Sequence, residues 1–208
     1  MDRISQSISE FWDEAVSDYD KHMLQTGHYA AQESLLSIFH DYLESPVLDL
    51  AGGTGYLSGL LLEQGFDVTL NDFSREMIGF CRTRLHAFGN ISFSEQNAEA
   101  ISTEKMFSTL ICCNAFYYLQ DMSAALSNWR KILKPRGKLV IMEEYPFMKP
   151  ESHEMAPRQR RLMELVRPIS PEAIKEYFKG DTLEAEAKAS IDGKHDLFGF
   201  VFSFSRPI

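Results

Sequence analysis

A short apolar run that ends in a glycine-rich turn constrains this chain more than any other part of its sequence. The run is Val47 to Leu50, and the turn contains Gly52, Gly53 and Gly55. Leucines 57, 60 and 61 follow at helical spacing. Because glycine has no Cβ, the backbone of the turn can approach a bound group closely. The pattern predicts a strand, a tight turn and a helix, with a site for a nucleotide-type ligand at the turn.

The spacing of the glycines separates two kinds of nucleotide site. A dinucleotide-binding turn follows G-x-G-x-x-G, and its third glycine allows the helix to pack closely on the strand. Gly53 and Gly55 fit the first two positions, but Ser58 occupies the third. Asp49 adds a negative charge, which disfavours a pyrophosphate and suits a ligand with a cationic centre. A tight connection without any ligand is the alternative that this segment leaves open.

Strand and helix patterns alternate along the middle of the chain, which predicts a doubly wound parallel sheet. Further strands are expected at 68–70, 91–93, 109–113 and 138–142, with a turn at 134–137. Gly65 is expected to end the first helix of this region. Ser74 and Ser123 are expected to cap the two helices that follow the second and fourth strands, and the first of these is predicted to run to about Ala87.

The two ends of the chain and one internal segment differ from this alternation. Residues 183–191, Asp192-Gly193 and the alternating phenylalanines 198, 200, 202 and 204 predict an antiparallel hairpin with one strongly buried face. Residues 1–45 are predicted to be largely helical. Residues 146–169 are predicted to form an insertion over the carboxyl edge of the sheet. Residues 1–208 together are predicted to form a single domain.

The turn resembles the first motif of the class I S-adenosylmethionine-dependent methyltransferases. Asp49, Ala51, Gly53 and Gly55 match the motif, and the string from Leu48 to Gly55 is especially similar to the ubiquinone/menaquinone C-methyltransferase branch. The resemblance implies an α/β, Rossmann-like, seven-stranded sheet whose last strand lies between strands five and six. It also implies S-adenosyl-L-methionine as the cofactor, bound beside Asp49, Ala51, Gly52, Gly53 and Gly55.

The segments after the second and third strands supply further cofactor candidates in the same resemblance. Asp72 fits, with Ser74 and Met77, the family pattern Asp-x-Ser-x-x-Met, and is expected to accept both ribose hydroxyls at a solvent-accessible strand end. Phe73 and Met77 are candidates to enclose the adenine ring. Asn97 replaces the usual aspartate but keeps an acceptor for adenine, and Ala98 offers its backbone N–H. Helix capping by Asp72 and core packing of the apolar pair are the alternatives.

The fourth strand leads into the segment that relatives place beside the methionine part of the cofactor. Cys113 and Asn114 occupy that position, and Tyr117 and Tyr118 stand where relatives often carry two histidines near the transferred methyl. Packing of a loop is the alternative for the two tyrosines. A cysteine nucleophile is not expected, because neither Cys112 nor Cys113 has a neighbouring histidine.

The segment from Phe11 to Asp20 resembles the N-terminal helix of many small-molecule methyltransferases, with one extra residue before Tyr19. The resemblance implies that this helix covers the cofactor as part of an N-terminal lid, residues 1–45, and that Tyr19 contacts the cofactor. His22 and His28 are candidates to face the acceptor, or else structural or solvated histidines. The candidate catalytic residues are therefore Tyr19, His22, Tyr117 and Tyr118.

Two charged segments are open to both structural and functional interpretations. Glu143 and Glu144 end the fifth strand, and because neighbouring strand residues point in opposite directions, at most one of them faces the site. The run containing Arg158, Arg160 and Arg161 fits a solvated helix face or a contact to an anionic group of the substrate.

Composition limits the partners and the location. The formal net charge of -9 opposes nucleic-acid binding, which needs a basic surface. The three cysteines provide neither a disulfide framework nor metal-ligand spacing, so we predict no metal. No signal peptide or membrane-length apolar run is visible, which predicts a cytoplasmic protein without membrane insertion. The sequence carries no signal of oligomeric state.

These observations predict an enzyme that transfers a methyl group from S-adenosylmethionine to a small-molecule acceptor. Alignment of donor and acceptor supplies most of such catalysis, and a general base is needed only for a protonated acceptor. The acceptor atom is therefore not indicated. A non-catalytic S-adenosylmethionine-binding regulator is the first alternative. An NAD(P)-dependent oxidoreductase is the second, and Ser58 and the order of the strands oppose it.

Overall fold

The apolar run before the glycine turn forms the central strand of the sheet. In a computed structural model that describes residues 3–147, 160, 163, 164 and 166–204, this strand is β1, Val47–Leu50, and all four residues are buried. Strands that are covered on both faces need such continuous apolar runs. β1 pairs in parallel with β2 on one side and with β4 on the other.

The sheet has seven strands in the order β3-β2-β1-β4-β5-β7-β6. β7 is antiparallel to both of its neighbours, and it lies between β5 and β6 as the resemblance implied. The predicted seven-stranded Rossmann-like sheet with a C-terminal antiparallel hairpin is confirmed. The remaining strands are β2 (Val68–Asn71), β3 (Ile91–Ser94), β4 (Phe107–Cys113), β5 (Leu133–Tyr145), β6 (Thr182–Ser190) and β7 (Asp196–Ser203).

Helices cover both faces of this sheet. Those with named bounds are α1 (Arg3–Thr26), α2 (His28–Phe39), α3 (Tyr56–Glu63), α4 (Arg75–Arg84), α5 (Met122–Ile132) and α6 (Pro171–Tyr177). Short 3-10 turns lie at His40–Tyr42, Ala98–Ala100 and Phe116–Tyr118. No described helix is both long enough and apolar enough to cross a bilayer.

The helix ends show which capping predictions were correct. Ser74 caps α4, because its hydroxyl accepts from the Met77 N–H at 3.1 Å, although α4 ends at Arg84 rather than near Ala87. The cap of α5 is Asp121, which accepts from the Ala124 N–H at 2.9 Å, so the prediction of Ser123 was wrong. An aspartate and a serine two residues apart are equally good caps by residue type, and the start of the helix decides between them.

Gly65 ends α3 as predicted. Its φ of 86° is left-handed, its N–H donates to the Leu62 carbonyl, and the Phe66 N–H donates to the Leu61 carbonyl. This pair of hydrogen bonds is a Schellman motif, which satisfies carbonyls that the helix end would otherwise leave unpaired.

The predicted turn at 134–137 lies inside a longer strand. β5 begins at Leu133, opposite Phe107, and the pairing resumes with Lys138 opposite Thr109. Arg136 has a φ of 66° within this irregularity. The residues with turn propensity therefore form a bulge between two paired parts of β5, and β4 starts at Phe107, two residues before its predicted start.

Strand β7 is buried more fully than its alternating phenylalanines predicted, whereas β6 is mostly exposed. Phe200 and Phe202 pack on one side of the sheet with Trp129, whereas Leu197 and Val201 are buried on the other side. Phe198 and Phe204 are only half-buried. Both faces of β7 are covered, because α2 packs on one side of the strand and α5 and α6 pack on the other.

The predicted N-terminal helical region divides into two parts. In α2, Leu35 and Phe39 are fully buried in the core, and a Cβ on Gly199 would lie 2.4 Å from the Phe39 ring. α2 is thus part of the core, whereas α1 buries few residues and packs beside α4. Most of the predicted insertion at 146–169, including Arg158 and Arg161, lies outside the described residues. Arg160 is described as exposed.

Candidate functional site

The candidate site lies where the order of the strands reverses direction. β1 leads to β2 on one side and β4 lies on the other, and ligands of open α/β sheets bind at such a point, beyond the carboxyl ends of the strands. A cleft, the larger chamber, opens there. The predicted site residues that line the larger chamber are Tyr19, Ala51, Gly53, Asp72, Phe73, Met77, Asn97, Ala98, Cys113, Asn114 and Tyr118.

A second and smaller space, the smaller chamber, adjoins the first. Tyr19, Ala51, Gly53 and Cys113 line both chambers and form a neck between them. The smaller chamber adds two predicted residues, Asp49 and Gly52, and five that were not predicted: Tyr29, Gln32, Thr54, Tyr56 and Leu57. The site therefore has two compartments joined at the glycine turn.

Three of the predicted cofactor-binding and catalytic residues line neither chamber. Gly55 has a φ of 75° at the start of α3, where a Cβ would lie 3.0 Å from the Cys81 sulfur. Its glycine serves backbone conformation and packing. Tyr117 is buried behind Tyr118, with ring centroids 4.7 Å apart, and His22 is on the exposed side of α1.

Asp49 is a buried carboxyl at the end of β1. The Ser58 hydroxyl donates to Asp49 Oδ2 at 2.7 Å. Burial raises the pKa of Asp49 to about 7, against the lowering effect of the Ser58 hydrogen bond. A Cβ on Gly52 would lie 2.9 Å from the same oxygen. Ser58 thus orients the Asp49 carboxyl, a role that its place in the glycine pattern did not indicate.

Asp72 anchors the glycine turn. Its Oδ2 accepts from the Gly53 N–H and its Oδ1 from the Ser74 N–H, both at 2.9 Å. It was expected at a solvent-accessible strand end, but only 8% of it is exposed. Burial raises its pKa to about 6, opposed by backbone hydrogen bonds. Each carboxylate oxygen can accept a second hydrogen bond, so Asp72 retains acceptor capacity toward the chamber.

Two asparagine side chains, Asn71 at the end of β2 and Asn97 after β3, line the larger chamber. Asn97 Oδ1 accepts from the Glu99 N–H at 2.9 Å, and its Nδ2 donates to the Ser5 hydroxyl at 3.3 Å. Asn71, which was not predicted, donates to the Gln96 carbonyl at 2.9 Å. Its Oδ1 is buried with no hydrogen-bond partner among the described residues.

A hydrogen-bond network ties α1 to the glycine turn. Asp20 Oδ1 accepts from the Thr54 hydroxyl at 2.5 Å and from the Tyr29 hydroxyl, and its Oδ2 pairs with Arg84 at 2.8 Å. Further along α1, Asp13 accepts from the Ser74 hydroxyl at 2.6 Å. The sequence indicated Tyr19 in this helix, but no local pattern indicated that Tyr29 on α2 and Arg84 on α4 would bind Asp20.

Buried acidic side chains end β5. Glu143 Oε1 accepts from the Ala115 and Phe116 N–H groups at 2.9 and 2.5 Å, and burial raises its pKa well above the usual range. Glu144 pairs with His28 at 2.5 Å, and both side chains are 5% exposed. The two carboxyls point in different directions, as predicted, and neither lines the two chambers.

The cysteines near the site are reduced and shielded. Cys81, Cys112 and Cys113 are free thiols, and burial is the main cause that raises the pKa of each. The Cys81 thiol donates to the Gly53 carbonyl at 3.0 Å. Thiols with raised pKa are poor nucleophiles. Within the described residues, no group of three or more His, Cys, Asp or Glu side chains is arranged to hold a metal ion.

Comparison with known proteins shows that the chain is similar to methyltransferases. A family model described as a methyltransferase domain matches residues 47–137, from β1 into β5. The chain is 38% identical over 117 residues to the ubiquinone/menaquinone biosynthesis C-methyltransferase UbiE of Shewanella sp. strain ANA-3, covering 52% of this chain and 45% of that protein. It is 33% identical over 100 residues to the putative methyltransferase YqeM of Bacillus subtilis strain 168, covering 46% of this chain and 40% of that protein. The chain thus spans about half the length of the curated relatives it matches.

Solved structures share the fold over more of the chain. The DhpI complex with SAH (S-adenosylhomocysteine) has a TM-score of 0.75 and 19% identity, covering 97% of both chains. The N-methyltransferase NodS from Bradyrhizobium japonicum WM9 has a TM-score of 0.63 and 20% identity, covering 84% of this chain and 94% of that chain. These similarities confirm the arrangement of the sheet and its helices.

Proposed function

We propose that this protein transfers a methyl group from S-adenosylmethionine to a small-molecule acceptor, because residues 47–137 match a methyltransferase-domain family model and the chain is similar to a C-methyltransferase. The observation that carries the proposal is the two-chambered cleft at the switch point, with a buried carboxyl at the end of β1 and another after β2. S-adenosylmethionine also has two halves, a nucleoside and an amino acid, joined at a sulfonium. The two chambers match those halves.

The residues of the larger chamber suit the nucleoside. Asp72 retains acceptor capacity for ribose hydroxyls, and Phe73 and Met77 offer apolar surface to the adenine. Because Asn97 Oδ1 already accepts from the Glu99 N–H, only its second lone pair is free for the adenine amine. Ala98 completes this end of the chamber.

The residues of the smaller chamber suit the amino acid half. The Asp49 carboxyl provides a partner for the ammonium group, and Gly52 and Gly53 keep the backbone accessible. A side chain at Gly53 would point toward Tyr19, with its Cβ 3.8 Å from that ring, so the missing Cβ leaves the neck open. The residues present therefore fit the cofactor.

The protein contributes alignment and a dry site to this reaction. The cofactor supplies an electrophilic methyl group on a cationic sulfur. α1, held by Asp20 over the glycine turn, excludes water from the neck, and positioning of donor and acceptor is worth roughly 7–11 kcal/mol in favourable cases.

The candidate catalytic residues differ in their protonation states, because their pKa values shift in different directions. Burial raises the pKa values of Tyr19, Tyr117 and Tyr118, so these phenols stay protonated and act as hydrogen-bond donors. Burial and His28 lower the pKa of His22, which keeps His22 neutral near pH 7. His22 lies outside both chambers, so its role as the residue that accepts a proton from the acceptor stays a prediction.

The three free thiols also support a reducing location, and we propose the cytoplasm. A regulator that binds S-adenosylmethionine without catalysis is the second candidate, because neither chamber identifies an acceptor. The oxidoreductase alternative is disfavoured by Ser58, whose hydroxyl holds a carboxyl where a pyrophosphate would lie.

The test has two parts. Calorimetry should show that S-adenosylhomocysteine binds with micromolar or tighter affinity and that NAD and NADP do not bind. Incubation of the protein with S-adenosylmethionine labelled on its methyl group and a mixture of metabolites should then yield a labelled small molecule. Binding of S-adenosylhomocysteine without any labelled product would favour the regulator. Tight binding of NAD without binding of S-adenosylhomocysteine would exclude both the methyltransferase and the regulator.

A further inference from the structure

We propose that the aromatic rings of Trp12, Tyr19 and Tyr118 recognise the positive charge at the cofactor sulfur, so that the protein binds the methyl donor in preference to its demethylated product. The inference rests on the proposed function, because it requires S-adenosylmethionine in the cleft. It adds that the protein distinguishes the two forms of the cofactor by their charge, since their nucleoside is the same.

The three rings form a compact cluster. Trp12 lies edge-to-face with Tyr19, at 85° and 5.5 Å between centroids, and edge-to-face with Tyr118, at 89° and 5.9 Å. Two of the rings belong to α1, and the third belongs to the 3-10 turn after β4. All three line the larger chamber, and each is only partly buried.

The neck between the chambers brings the sulfur to this cluster. Tyr19 lines both chambers, and its ring lies against Gly53. A ligand with its nucleoside in one chamber and its amino acid in the other passes through the neck at the atom that joins the two halves. In S-adenosylmethionine that atom is the sulfonium sulfur.

The electrostatics of the larger chamber favour a cation. The face of an aromatic ring attracts positive charge, most strongly when the cation is desolvated. The described residues that line this chamber include Asp72 and Glu99 but no lysine or arginine. The rings therefore face no competing cation of the protein within the described lining.

Methyl transfer removes this attraction. The bond between sulfur and methyl breaks, its electron pair stays on sulfur, and the cofactor leaves as a neutral thioether. Cation–π contacts are worth a factor of about 2 to 30 in affinity, so the product loses that factor relative to the donor. The cluster would thus favour release of S-adenosylhomocysteine.

Three ligands isolate the charge in a calorimetric test. S-adenosylmethionine and sinefungin, which has an ammonium group in place of the methylsulfonium, are cationic at this point, whereas S-adenosylhomocysteine is neutral. Each is titrated into the wild type, Trp12→Leu and Tyr118→Leu. Tyr118→Phe keeps the ring, and Phe73→Leu is the matched control because Phe73 lines the same chamber outside the cluster.

We expect both leucine variants to lose about 2- to 30-fold in affinity for the two cationic ligands and less than about twofold for S-adenosylhomocysteine. Tyr118→Phe should behave as the wild type, and Phe73→Leu should weaken all three ligands equally. Equal losses for all three ligands in the leucine variants would show that the rings pack on the adenosine, and would overturn the proposal.

Two further outcomes are informative. If none of the three ligands binds the wild type, the proposed function itself is wrong. Thermal unfolding establishes that each variant is folded. If neither leucine variant folds, the wild type decides: tighter binding of S-adenosylhomocysteine than of both cationic ligands would overturn the charge preference.

Discussion

The buried carboxyl of Asp49 should make cofactor binding depend on pH. Its pKa is raised to about 7 in the free protein, and an ammonium group in the smaller chamber would favour the carboxylate and lower that pKa. Binding then releases a proton below about pH 7, so affinity should rise between about pH 5 and pH 7 and level off above. Asp72, with a pKa of about 6, adds to the same trend.

Calorimetry with S-adenosylhomocysteine at several pH values, in buffers of different ionisation enthalpy, measures both the affinity and the released proton. Asp49→Asn should flatten most of the profile. An identical profile in Asp49→Asn would assign the titration to another group. The free energy of unfolding should change with pH in the opposite direction to the affinity. Because the pKa of Asp49 is raised in the folded protein, the stability that Asp49 contributes is lost as pH rises from about 4 to about 7.

Substitutions can separate the proposed role of Asp72 in cofactor binding from its role as an anchor of the glycine turn. Asp72→Ala should weaken S-adenosylhomocysteine binding by about 1.5–3 kcal/mol, the usual worth of hydrogen bonds to a charged group. It should also lower the free energy of unfolding, because the buried Gly53 and Ser74 N–H groups lose their acceptor. Ser74→Ala is the control, since it removes a helix cap worth about 1 kcal/mol and the hydrogen bond to Asp13 but leaves the Asp72 carboxyl. Equal losses of affinity in the two variants would reduce Asp72 to a structural residue.

Residue-level predictions succeeded where one residue type has one physical role. Gly65 was identified because a left-handed helix end favours glycine. The positions of Asp49 and Asp72 near the cleft could be predicted because both residues lie at the carboxyl ends of parallel strands. Ser58 and Asn71 were missed because their roles depend on partners that only the folded sheet brings near.

At the scale of elements, α1 carries a prediction about closure. Its role as a lid is a prediction, supported by the bonds of Asp20 to Thr54 and Arg84 and by the bond of Asp13 to Ser74. Hydrogen exchange in α1 should slow when S-adenosylhomocysteine binds, while β7 stays protected with or without ligand. Asp20→Ala should speed exchange in α1 alone. A protein lacking residues 1–25 that bound the cofactor and transferred methyl groups normally would contradict the lid.

Element boundaries show what local pattern could and could not supply. Strands β1 and β2 were found nearly to the residue, because buried parallel strands read as apolar runs. The start of β5 was missed, because the turn-forming residues 134–137 fold as a bulge that only pairing with β4 stabilises. α2 was assigned to the lid because nothing local marks Leu35 and Phe39 as core residues.

At the scale of the molecule, the order of the strands explains why one turn indicated the whole fold. A glycine turn after a central strand places the ligand at the switch point, and the alternating elements then allow few topologies. The place of β7 between β5 and β6 came from the resemblance, because a hairpin pattern does not state which strand lies inside the sheet. No such pattern indicated the methyl acceptor.

The cleft is built from segments that span residues 5 to 119, so ligand binding should stabilise the sheet as a unit. A ligand that binds only the folded state adds about 2.7 kcal/mol at a hundred times its Kd. For a chain of this size each kcal/mol raises Tm by about 2–4 °C, so S-adenosylhomocysteine should raise Tm by about 5–10 °C. Differential scanning calorimetry should show one transition that moves as a whole, a smaller shift for Asp72→Ala, and none with NAD. A ligand-dependent split into two transitions would mean that α1 and the glycine turn unfold separately from the β5–β7–β6 half of the sheet, and the cleft would then be a local structure on an independent scaffold.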